Sequence, residues 1–93
     1  MTNGVSVDRD EGSSVIVDFL GVRDYGFIQN PRGGEDIHIH GNEQGVYGDG
    51  GDVIFPSPKN EKLPKPQKGL RVKYFRERRG TQLRVVRWAI IPE

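Results

Sequence analysis

The chain has 93 residues, 33% of them hydrophobic, with 13 glycines, 6 prolines and no cysteine. Such a length makes one small domain with a single core, and the missing cysteine excludes disulfides and thiolate metal sites. The net charge of +1 conceals a split, −7 over residues 1–58 and +8 over residues 59–93.

That asymmetry points to a basic surface that recruits polyanions, or to two oppositely charged faces. No apolar run approaches the ~20 residues of a membrane helix. The first eleven residues lack the basic and apolar regions of a secretion signal. A cytoplasmic location without membrane contact is therefore expected.

Residues 1–13 are polar, acidic and aperiodic, which predicts a disordered tail ahead of a domain over 14–93. Val15 to Leu20 is β-branched and aromatic, as a strand requires. Gly21 to Asp24 is a turn, and Tyr25 to Gln29 is a second strand. Asn30-Pro31-Arg32-Gly33-Gly34 is a strong turn signal. Asp36-Ile37-His38-Ile39-His40 then alternates strictly, with the isoleucines on one face and the histidines on the other.

Residues 41–68 break the rhythm with glycines, then with prolines and interspersed lysines. Only Val53-Ile54-Phe55 has strand character there, and so long a connection is either functional or mobile. Leu70 to Phe75 resumes a strand, with Leu70, Val72 and Tyr74 on one face. Glu77 to Thr81 reads as a hairpin turn. Gln82 to Ile91 is the last strand, with Val86, Trp88 and Ile90 expected on one face. No stretch holds a 3.6-residue apolar period. The expected fold is all-β: a five-stranded antiparallel barrel with a long loop between its third and fourth strands.

Period 2 puts Tyr25 and Phe27 on one face of their strand, and His38 and His40 on one face of the next. If the two strands pair, four rings share a solvent-facing surface while the isoleucines point inward. Exposed rings suit a planar partner, and unpaired bases are such a partner, stacking for about 1–3 kcal/mol each. Surrounding basic side chains would hold phosphates.

Arg23-Asp24-Tyr25-Gly26-Phe27-Ile28 resembles the first ribonucleoprotein motif of cold-shock domains, commonly Lys-Gly-Phe-Gly-Phe-Ile. Asp36-Ile37-His38-Ile39-His40 resembles the second, commonly Asp-Val-Phe-Val-His. Arg79-Gly80-Thr81-Gln82 is similar to the family's Arg-Gly-Pro-Gln turn. The resemblance spans roughly residues 14–91 and implies an oligonucleotide-binding (OB) barrel that binds single-stranded RNA or DNA, without a cofactor. Because the stacking surface tolerates any sequence, the expected roles are RNA chaperoning, single-strand protection or regulation of expression.

By the match, Tyr25, Phe27, His38 and His40 hold stacking positions, and Arg23, Arg79 and Gln82 hold polar contact positions. Lys73 joins them as a basic strand residue. Departures from the pattern predict weaker binding. Asp18 stands where the family carries an exposed Trp, and Gly41 stands where it carries a Phe.

Other readings stay open. The aromatics could be core residues in a reversed register, and Trp88 reads more readily as core than as a stacking ring. His38 and His40 could be a metal pair, although two ligands make a weak site. The lysines from 59 to 68 could be a solvated segment or a phosphate-tracking arm. The main alternative function is a protein-interaction module that has lost nucleic-acid binding. No nucleophile or held acid pair supports an enzyme.

Overall fold

Strand β1, Arg9–Leu20, is long enough to serve two partners, and it divides its length between them. Its first half pairs antiparallel with β6 (Arg71–Arg79), from Arg9 opposite Glu77 to Val15 opposite Arg71. Its second half pairs with β2 (Tyr25–Ile28), and the handover is marked by an irregularity between Ile16 and Asp18. The extra residue, Val17, lets the strand bend between its two partners. Strand β3 (Ile37–His40) adds beyond β2, and β7 (Gln82–Ile90) beyond β6, so the sheet runs β3-β2-β1-β6-β7. The structure, a computed structural model, describes residues 9–92.

The five-stranded antiparallel sheet is nearly closed into an OB-like barrel. Closure is made by a segment that follows β3. Gln44 bridges to Trp88 in parallel fashion, and the Gly45 amide donates to the Trp88 carbonyl at 2.8 Å. Ile16, Ile28, Ile39, Val72, Tyr74 and Trp88 fill the interior and are essentially inaccessible. Full burial of such side chains is worth about 1.5–3 kcal/mol each. The Trp88 indole N–H donates to the His40 carbonyl at 2.7 Å, so its polar atom is satisfied inside the core.

The strands extend further than expected in two places. Residues 9–13, read as part of the tail, belong to β1. What holds this polar stretch is Asp10, whose carboxylate accepts from Arg32 at 2.7 Å and from Arg76 Nε at 3.0 Å. Residues 1–8 of the expected tail lie outside the described residues. Glu77 to Arg79, read as turn, also belong to a strand, and the hairpin closes through Gly80 and Thr81 alone. Gly80 adopts φ +66°, as a two-residue hairpin loop requires.

The expected face of β7 is corrected as well. A register shift places Arg87 opposite Phe75 but Val85 opposite Arg76, so Val85 joins Trp88 and Ile90 in the core instead of Val86. The long connection is partly structured: a 3-10 turn over Gly41–Glu43 precedes a small hairpin of β4 (Val46–Tyr47) with β5 (Val53–Ile54). Among the described residues, no helix is long and apolar enough to cross a membrane.

Candidate nucleic-acid interface

The ring surface is built by the β2–β3 pairing. Tyr25 lies opposite His40 and Phe27 opposite His38, while Gly26 faces Ile39 and Ile28 faces Ile37. Directly opposed residues in an antiparallel pair project to the same side. All four rings therefore share the outer face, and Ile28 and Ile39 lie beneath it at 0% exposure. The reversed register, with the aromatics in the core, does not occur.

Ring centroids of His38 lie 5.0 Å from Tyr25, 5.1 Å from Phe27 and 4.4 Å from His40. Tyr25 and Phe27 are 5.9 Å apart and nearly perpendicular. His38 is thus the hub of one continuous patch.

Two glycines shape this patch. A Cβ on Gly26 would sit 2.8 Å from Phe19 Cα and closer still to the Asp18 carbonyl, so only Gly lets β1 pack here. Gly41 lies against the Asp24 carboxylate, in the space a Cβ would fill. Asp24 itself has φ 58°, and its backbone carbonyl accepts the Gly41 amide at 2.8 Å. Asp18 is opposite Phe27 in register and exposed, which puts a carboxylate at the border of the rings.

Beside the histidines opens a cleft of about 1230 Å³, between β3 and the β6–β7 hairpin. Arg79 and Gln82 face each other at the end of that hairpin and line the cleft with His38, His40, Glu43 and Arg84. Polar contact positions therefore adjoin two of the four rings. Arg23 stands exposed in the turn between β1 and β2.

Lys73 belongs to a different group. Its strand neighbours are Ser13 and Ala89, and its ammonium lies 3.9 Å from Glu11 and 5.5 Å from the Phe75 ring. Arg87 covers that same ring at 4.3 Å.

The electrostatics favour a neutral His38. Partial burial, then the nearby His40 and Arg84, hold its imidazole below the ordinary value near 6.5. An uncharged ring keeps its face free for stacking near neutral pH.

Arg84 goes unnamed among the basic residues of the sequence, and its alternation with Gln82 along β7 is the signal that singles it out. Glu43 left no such trace, because it lies in an irregular turn. No group of three or more His, Cys, Asp or Glu side chains able to hold a metal occurs among the described residues. Neither a protein-family model nor a curated protein matches the sequence.

Proposed function

We propose that the chain binds single-stranded nucleic acid, stacking unpaired bases on Tyr25, Phe27, His38 and His40 in the manner of a divergent cold-shock domain. One observation carries this reading: four rings form a continuous outward patch on strands whose other side is packed with isoleucine. Exposed rings in such an arrangement gain from a planar ligand, and every base offers a π-face. Arg79, Gln82 and Arg84 line the cleft beside the two histidines and supply polar contacts for the backbone of a strand stacked there, and Arg23 adds charge at the turn. The acids at the border, Asp18 above all, oppose the phosphates. They make the affinity modest and steeply dependent on salt.

The test is anisotropy of a labelled pyrimidine heptamer titrated with the full chain at low and moderate salt. Log affinity should fall linearly with log salt, with a slope of about −0.7 for each phosphate neutralised. Phe27→Ala should weaken binding by about tenfold, the loss of one stacked base at 1–3 kcal/mol. Absence of binding at low salt would leave the protein-interaction module as the better reading.

A further inference from the structure

The cleft between β3 and the β6–β7 hairpin holds a group that a simple polyanion site has no use for. Glu43 lines it beside His40 and Arg84, at the end of the 3-10 turn that follows β3. Its Oε1 is buried and has no hydrogen-bond partner in the protein. A buried acceptor in that condition is costly until something donates to it. Burial pushes the Glu43 carboxyl up, while the nearby His40, a hydrogen bond from the His40 backbone amide to the carboxylate, and Arg84 pull the other way, so Oε1 alone is left without a partner. A carboxylate so close to a phosphate path would also repel the strand unless the base it meets rewards it.

We propose that this cleft reads guanine within the bound strand, with Glu43 accepting from the base's N1–H and 2-amino group and Arg84 donating to O6. The inference rests on the stacking reading above and adds base identity to it. Guanine alone among the four bases presents two adjacent donors on its pairing edge, which is what two carboxylate oxygens match. Adenine and cytosine place a ring nitrogen acceptor next to their amino group, and that acceptor repels the second oxygen. Uracil and thymine flank their single N–H with carbonyls.

O6 lies next to N1 on guanine, so the arginine must stand beside the carboxylate. Arg84 lines the same cleft as Glu43, and its charge acts on both Glu43 and His38. His38 and His40, on the same cleft wall, supply the ring face on which the base rests. The other positions on the platform remain tolerant of any base.

The experiment compares labelled heptauridines that carry guanine, adenine, cytosine or uracil at the centre, titrated with the full chain. The guanine strand should bind at least about fivefold more tightly, the low end of what a good bidentate base contact discriminates. Inosine, which keeps N1–H and O6 but lacks the 2-amino group, should fall between guanine and uracil. Glu43→Gln offers one donor and one acceptor and should bring the guanine preference below twofold, with uridine binding kept or strengthened.

Arg84→Lys is a second variant that preserves charge. It should lower the guanine preference while leaving the salt slope unchanged. Equal affinity for all four strands, or a guanine preference that survives Glu43→Gln, overturns the guanine assignment and leaves the stacking reading standing. Failure of every strand to bind overturns both.

Discussion

His38 touches every other member of the ring patch, and its charge state decides what the patch can do. Its pKa is lowered in the folded chain, first by burial and then by the nearby His40 and Arg84. The unfolded chain takes up this proton near pH 6.5, and the folded chain only at lower pH. Between the two values unfolding binds a proton, so the stability His38 contributes is present above 6.5. It is lost as pH falls through that window. Ring NMR of the free chain should give His38 a midpoint below 6.5, rising when a strand brings its phosphates near. A midpoint at or above 6.5 in the free chain would contradict this electrostatic picture. With the lowered midpoint, binding should strengthen with acid only below pH 6.5.

At the scale of elements, the strands that carry the site were the legible ones. Tyr25 to Ile28 and Ile37 to His40 alternate cleanly, and alternation fixes which side faces water. Their pairing places Phe27 opposite His38 across the connection over residues 29–36. The first half of β1 was illegible for a physical reason. Arg9 to Ser14 carries no apolar pattern, and its place in the sheet depends on Asp10 meeting Arg76, 66 residues away.

The Val85 and Val86 exchange was hidden for a similar reason. A bulge in β7 shifts the alternation by one, and nothing local announces it.

The Asp10 cluster also ties the β2–β3 turn to the barrel, because Arg32 of that turn is its second partner. The Asp10 side chain is 2% exposed and Arg76 12%, whereas Arg32 is 64% exposed. Removing the shared acid strands a nearly buried arginine, and breaking a buried pair in this way costs about 3–5 kcal/mol. Asp10→Ala should therefore lower urea stability by about 3 kcal/mol, the lower end because one partner is exposed. Arg32→Ala should cost less than about 1 kcal/mol, as a largely solvated pair does. Equal losses in the two variants would show that the exposed pair, rather than the buried one, holds the strand.

The charge split of the whole molecule acquires a place in the fold. Strands β2 and β3, from the acidic half, carry the rings. The hairpin of β6 and β7, from the basic half, returns across the cleft and supplies Arg79 and Arg84. Opposite charges distant in sequence thus face one another over a single cleft, and the net +1 is their near-cancellation. The lysines from 59 to 68 lie between these elements, in the second part of the connection.

A cleft of this kind could hold a polyanion by charge alone, or could hold bases by stacking and let charge assist. The two differ in what they ask of the ligand. Charge alone favours the denser charge of a duplex, whereas stacking needs bases that are not already paired. The most direct measurement is the affinity of the full chain for one strand and for its own duplex at the same salt. The ring patch requires the single strand to bind more tightly by about tenfold or more, since each stacked base is worth about 1–3 kcal/mol. Equal affinities, or a preference for the duplex, would contradict it.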